Sequence, residues 1–374
     1  MYSEGAPLCT CSISPEVLHD LWVQRRSSSR GDLPDPKTAL APAGGIDVLP
    51  FFPLFDTYIY QLVNHADAVA YATRSVLRDF HDDGVAYLEL RTTPRQNLDT
   101  GLTKDSYVFT VNREVAAWNA RQAESTRHPL EARIILSIDR KMSAAEAEHV
   151  VDLAIQHKHD PSRPHVPRCV VGVDLCGNPG RGDVSTFTHV FRRATQHGLG
   201  ITAHFAEIRT PTTPDELETI LSWAPQRLGH VINVPARVEG VIRERRLALE
   251  LCLSCNVLAK LTSGGFGEHH FKPWHQTECP IALSTDDVGI FGSPLSHEYL
   301  LAAQHFGLSR QELIKLAKSA ASAAFDSVAG KRTLELIAGF EKQSHVLGAP
   351  EVLCDRLYDG RKRTCPRIEA SLTR

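Results

Sequence analysis

The sequence has no surplus of either charge: 41 lysines and arginines stand against 44 aspartates and glutamates, for a formal net charge of −3. Without excess cations to follow a phosphate backbone, dedicated nucleic-acid binding is disfavoured and a small-molecule ligand fits better. No apolar run approaches the roughly 18 residues of a membrane-spanning helix. The opening segment MYSEGAPLCTCS has no basic region followed by an apolar stretch. These absences predict a monomeric cytoplasmic chain with no membrane and no nucleic-acid partner. The nine cysteines are an odd number, and most lie inside apolar runs such as VVGVDLCG and LALELCLSCN. That favours reduced, buried thiols over a disulfide framework. No internal repeat is visible.

What is present is the composition of an ordinary enzyme, 374 residues with 42% hydrophobic and 23% charged. Two stretches are poor core material. Residues 25–47 concentrate Ser, Pro, Gly and Arg between a short helical segment, 15–24, and the run LPFFPLFDTYIYQLV; they read as a mobile surface loop. From Ala349 onward a basic cluster, DGRKRTCPR, with scattered apolar positions reads as a C-terminal tail over 349–374. Residues 1–348 are then one domain, since barrels of strand and helix pairs routinely exceed about 250 residues as a single unit.

Within that domain a β-branched or leucine-rich run, a polar turn and a longer helical period recur. The runs are VAYLELRT (85–92), ARIILSID (132–139), CVVGVDL (169–175), GITAHFAE (200–207), RLGHVI (227–232), LALELCLS (247–254) and IALSTDD (281–287). Helical stretches between most of them imply successive parallel crossovers, hence an α/β barrel or a doubly wound sheet. Polar residues decide between the two. Arg91 and Thr92, Asp139, Asp174, His204 with Glu207, His230, Ser254 with Asn256, and Asp286 with Asp287 all fall at strand C-termini. In an eightfold barrel that rim is the active-site face, whereas a doubly wound sheet gathers such groups only near its switch point. The expected fold is a TIM-like (β/α)8 barrel whose first strand is absent or degenerate, because seven strands are one short of closure.

His204 at a strand end can face the mouth as a metal ligand, with Glu207 three residues on as an acid over the same pocket; a hydrogen-bonded rim histidine is the bland alternative. Two adjacent aspartates closing an apolar strand are costly as core. Asp286 could bind a metal while Asp287 accepts a hydrogen bond from substrate, or the two could serve a helix N-terminus or turn. His230 follows a glycine, where an imidazole could orient a hydroxide. The CLSC at 252–255 has no second pair, which favours core packing over zinc. None of the 18 histidines has a glutamate two residues later, which excludes the zinc deaminases built on His-x-Glu with Pro-Cys-x-x-Cys. HHFKPWHQ at 269–276 carries no assigned role.

The ordered blocks YLELRTTPR, GVDLCGNP, ITAHFAEI, RLGHVINV, LELCLSCNV and STDDVGIF resemble the adenosine deaminase family, and most closely its adenosine deaminase-like branch, the N(6)-methyl-AMP deaminases. The resemblance runs from about Ser12 to near Phe340. It implies a hydrolase with one zinc ion, held by His204 and Asp286, with Glu207 as proton shuttle, His230 orienting the hydroxide and Asp287 holding the purine. Gly177 would offer backbone to the purine ring, Thr92, Thr93, Pro94, Arg95 and Asp139 would line the ribose and phosphate end, and Tyr60 would lie above the pocket. The implied substrate is an adenine nucleoside or nucleoside monophosphate of the N(6)-methyl-AMP or AMP type. Adenosine itself, or a purine-binding barrel that has lost its metal, are the alternatives. One departure bears on the metal. The family carries a His-x-His pair on its first strand, and ungapped alignment puts Ala6 and Leu8 there. Catalytic zinc sites normally keep three protein ligands, and only two of the family set remain. Cys9 and Cys11 share the i, i+2 spacing but fall beyond Leu8, nearer the turn.

Overall fold

A computed structural model describes residues 2–4, 12–27, 33–39, 55–123, 129–159, 167–209 and 212–346. Its eight strands are β1 (Tyr2–Glu4), β2 (Val85–Thr92), β3 (Glu131–Asp139), β4 (Val170–Cys176), β5 (Gly200–Phe205), β6 (Arg227–His230), β7 (Ala248–Leu251) and β8 (Ile281–Leu283). They form one sheet in sequential order with every neighbouring pair parallel. β8 comes round to within 8 Å of β1. The expected barrel is thus present, and its first strand is degenerate rather than missing: three residues long, pairing with β2 across a bulge between Tyr2 and Ser3. A three-residue YSE strand has no apolar run, which is why the sequence shows seven strands. Ala6, Leu8, Cys9 and Cys11 lie outside the described residues.

Outer helices bury one face each. Ala66–Asp82 turns Val69, Ala72, Val76 and Phe80 inward at helical spacing. β2 is buried along its whole length, as strands covered on both faces must be, and so it reads as a nearly continuous apolar run. The barrel lumen is charged. Glu89, Arg91, Arg227 and Glu250 are all buried. Arg91 pairs with Glu250 and donates to Thr202 at 2.9 Å. Arg227 reaches Glu250 at 2.7 Å and also Glu89, which accepts from Tyr87. Two arginines and two glutamates neutralise one another there, and the Arg227 pairs fall within about 2.7 Å of each other's charge. Arg91 therefore lies inside the barrel, not in the mouth as its strand-end position suggests. Below it, the Phe325 ring covers Arg227 at 3.6 Å and fills the space where Gly200 lacks a side chain: a Cβ at Gly200 would sit 2.4 Å from that ring.

The segment expected to be a mobile loop over 25–47 is partly structured. The helix Pro15–Ser27 runs past residue 24, and a second short helix forms at Pro36–Ala39. The described part, 33–39, is pinned to its surroundings: Trp22 donates to the Leu33 carbonyl at 2.7 Å, Tyr58 to the Pro34 carbonyl, and His19 meets Asp35 at 3.0 Å. The tail at 349–374 lies outside the described residues. Among the described residues no helix is long and apolar enough to cross a membrane.

Candidate active site

The strands end earlier than their apolar runs, and the site is built where they stop. Ala206, His230, Val231 and Asp286 have left-handed backbones, with φ of 52°, 63°, 47° and 53°. Such conformations cost non-glycine residues of order 1–3 kcal/mol and cluster where function demands a particular side-chain direction. Here they turn β5, β6 and β8 out of their ladders and bring His204, His230 and Asp286 together, one ligand-type atom of each lying within 4.8 Å of the others.

His204 is aimed by its second nitrogen. Nδ1 lies 2.9 Å from the Leu175 carbonyl and 3.3 Å from Asp174 Oδ1. A carbonyl only accepts, so Nδ1 carries a proton and Nε2 is the nitrogen that gives up its proton to a cation, the arrangement of a metal-ligating histidine. Burial by itself would lower the basicity of the ring. The buried Asp174 carboxylate overrides it and pushes the pKa up to about 9. Ser137 holds Asp174 from the other side at 3.1 Å. Asp286 accepts from the Cys255 thiol at 2.9 Å, so the CLSC segment does more than pack. Cys252 caps a short helix, Leu253–Leu258, whose first N–H groups bond to the buried Glu298 carboxylate. His230 Nε2 faces Glu207 at 3.9 Å and Asp286 at 4.0 Å, while its Nδ1 lies 3.0 Å from the Asn256 amide. Imidazole nitrogen and carboxylate oxygen suit a borderline cation such as zinc. His204 and Asp286 fit that role directly.

These groups close one end of a cavity of about 420 Å³, within the range of small-molecule sites. Of the residues expected to form the site, His204, Glu207, His230, Asp286, Asp287, Gly177, Asp139, Thr93 and Tyr60 line it. Gly177 must be glycine, since its φ is 95° and a Cβ would lie 2.4 Å from Asp139 Oδ1. Thr92, Pro94 and Arg95 do not line it. The Thr92 hydroxyl is bonded to Tyr107 at 2.6 Å. Arg95 lies over the Tyr60 ring at 3.9 Å and the Tyr107 ring at 5.0 Å, and its guanidinium donates to the Tyr107 hydroxyl at 3.3 Å. It braces Tyr60 from behind.

Two cations that line the same cavity, Lys141 and Arg181, were missed. Lys141 Nζ bonds Asp56 at 2.8 Å and lies 3.7 Å from Asp139. Arg181, exposed on the turn after β4, has no side-chain partner among the described residues. Both follow the C-terminal end of a barrel strand, β3 or β4, and that position was the available signal.

The family model for adenosine deaminase matches residues 9–338. An N6-mAMP deaminase of Arabidopsis thaliana is 32% identical over 311 residues, covering 79% of this chain and 84% of its own length. An N6-methyl-AMP deaminase of Homo sapiens is 32% identical over 268 residues, 70% of this chain and 72% of its own. The crystal structure of the Arabidopsis N6-mAMP deaminase superposes with a TM-score of 0.79 at 30% identity, covering 90% of this chain and 98% of that one. A structure of Arabidopsis ADAL complexed with GMP gives 0.78, at 30% identity over 90% and 97%. The chain belongs to the adenosine deaminase family.

Proposed function

We propose that the chain hydrolytically removes the amino or methylamino group from the purine of an adenine nucleoside monophosphate, N(6)-methyl-AMP or AMP, as a monomeric cytoplasmic enzyme of purine nucleotide metabolism. The observation that carries the reading is one cavity lined both by His204, Glu207, His230, Asp286 and Asp287 and by the cations Lys141 and Arg181. The first group suits proton transfer on a ring, and the cations suit a phosphate. The relatives named for N6-methyl-AMP and the neighbour holding GMP support a nucleotide over a nucleoside.

A zinc ion on His204 and Asp286 would supply the Lewis acidity that lowers the pKa of a water towards about 7. The chain's own residues do the rest. Glu207 takes one proton from the attacking water and delivers it to the ring nitrogen beside the reacting carbon, then takes the remaining hydroxyl proton and passes it to the leaving amine. The water oxygen ends as the six-oxo group, and ammonia or methylamine departs. Asp287 fixes the purine edge by accepting a hydrogen bond, while Gly177 lets the ring lie against bare backbone. Tyr60, braced by Arg95, covers the ribose side. The reading of a purine-binding barrel with weak catalysis draws on a specific observation too, Ala6 and Leu8 at the positions where ungapped alignment puts the family's His-x-His pair.

The test compares N(6)-methyl-AMP, AMP and adenosine in the unaltered chain, in Arg181→Ala and in Lys141→Ala, with released ammonia or methylamine as the readout. A lost charge-assisted contact of about 1.5–3 kcal/mol should lower kcat/KM for the monophosphates by roughly ten- to a hundredfold and leave adenosine nearly unchanged. Equal losses on nucleoside and nucleotide would refute a phosphate held by those cations.

A further inference from the structure

One buried carboxyl group ties together two loops that carry reacting groups of the site. Glu298 has no exposed surface and stands in the first turn of the helix Leu295–Phe306. Its Oε2 accepts from the backbone N–H groups of Leu253, at 2.9 Å, and Ser254, at 3.2 Å. Its Oε1 accepts from the Ser254 hydroxyl and, at 2.5 Å, from the Ser293 hydroxyl. Leu253 and Ser254 open the helix Leu253–Leu258, just past β7. Ser293 follows the short helix Val288–Phe291, which leaves Asp287 just past β8.

This is an unusual way to start a helix. Cys252 occupies the N-cap position, where Ser, Thr, Asp or Asn would bond the free N–H groups locally, yet its side chain makes no capping bond. The cap comes instead from a residue 45 positions along the chain. Burying a carboxyl group costs free energy even when it is bonded, and a local cap would avoid that cost. What the distant cap adds is a fixed link between the two loops. Two contacts cross it or depend on it. The Cys255 thiol donates to Asp286 at 2.9 Å, and Asn256 Oδ1 lies 3.0 Å from His230 Nδ1. Cys255 and Asn256 follow directly on Ser254 in the same buried turn, so a shift of that turn displaces both contacts.

We propose that Glu298 is a positioning residue: by bonding the exits of β7 and β8 to one carboxyl group, it holds the Cys255 thiol on Asp286 and the Asn256 amide on His230. A carboxylate fixed by such a donor holds a metal more tightly than a loose one, and loss of support of this kind typically lowers metal affinity by about ten- to a hundredfold. Only this consequence rests on the metal-dependent deaminase reading; the link between the two loops does not.

The experiment reads the S–H stretching band of Cys255 by infrared spectroscopy of the full, metal-free chain, with the band assigned by its loss in Cys255→Ala. A thiol that donates to a carboxylate absorbs at lower wavenumber than a free one, and the other cysteine bands report that the chain is folded. Glu298→Met removes every acceptor, so the Cys255 band should move towards the free-thiol position. Glu298→Asp draws the acceptors back by one C–C bond, roughly 1.5 Å. It should move the band the same way, and it keeps a polar group there if the methionine variant fails to fold. Glu298→Gln should leave the band in place. Its amide oxygen can take the two N–H groups while its NH2 donates to the two hydroxyls, and Ser293 can turn its proton to His297 Nδ1, 3.0 Å away. Zinc retention, measured by competition with a coloured chelator, should fall about tenfold or more in Glu298→Met and in Cys255→Ala. The combined variant should lose no more than Glu298→Met alone, since the two act on one contact. A Cys255 band that stays in place in both Glu298→Met and Glu298→Asp overturns the proposal, as do zinc losses that multiply in the combined variant. The expected spectra in a chain that retains no zinc would sink the metal reading of Asp286 and leave the positioning role standing.

Discussion

Replacing Asp174 by asparagine isolates the electrostatic support of His204. Asn keeps the acceptor oxygen that Ser137 uses and is nearly isosteric, so the change removes one buried charge and little packing. In the metal-free protein, burial works against protonated His204 and the Asp174 carboxylate works for it; the carboxylate prevails, raising the pKa from 6.5 to about 9. At roughly 1.4 kcal/mol per pKa unit, that rise corresponds to about 3 kcal/mol of folding stability. A histidine raised on folding contributes fully below its unfolded pKa and loses the contribution as pH climbs through the folded one, because the native state then binds more protons than the unfolded chain. Metal-free protein should therefore lose about 3 kcal/mol between about pH 6 and about pH 9.5 from this group. In Asp174→Asn burial and the Arg91 charge oppose only the smaller influence of Glu207, so that contribution should vanish or reverse sign. Asp174 itself has a lowered pKa, so its own linkage lies at acid pH, outside this window. Urea unfolding at the two pH values, in wild type and variant, measures the difference of differences. An equal pH dependence in both proteins would refute the assigned partnership. Saturating zinc, which displaces the proton from His204, should flatten the wild-type curve.

Three further outcomes are expected. Glu207→Gln keeps the size of the side chain and removes the proton shuttle, so turnover should fall at least roughly a hundredfold while nucleotide binding, followed by calorimetry, survives. Arg227→Met leaves the buried Glu89 carboxylate without its arginine and Glu250 with Arg91 alone, and should cost about 3–5 kcal/mol in urea unfolding, far more than a surface arginine. Replacing Ala6 and Leu8 together by histidine restores the family's His-x-His pair. It should raise both zinc content, measured by elemental analysis, and turnover, since two residues at i and i+2 of a strand face the same side; tight stoichiometric zinc in the unaltered chain would contradict this.

The parallel barrel was legible because strands buried on both faces must be apolar throughout, and β2 to β8 announce themselves as such runs. Their polar terminators were legible for the same reason: His204, His230, Asp286 and Asp287 interrupt apolar patterns that nothing else in the core would interrupt. That logic misled at Arg91. Its position near the end of β2 suggested the mouth, yet the lumen is deep enough for an arginine, given Glu250 to neutralise it. At Thr92 and Arg95 the strand pattern stops, and with it the alternation that tells inside from outside, so Tyr107 and Tyr60 claim those side chains instead.

The sequence by itself determined the barrel, the family and the reacting end of the site, since each depends on residue type at a fixed place along a strand. Only the tertiary structure decided how those groups are charged and oriented. Asp174 meets His204 from 30 residues away, Asn256 meets His230 from 26, and Lys141 meets Asp56 from 85. A proton's position on an imidazole, or the direction of a buried amide, is set by such contacts across strands and loops, and no local pattern along the chain encodes them.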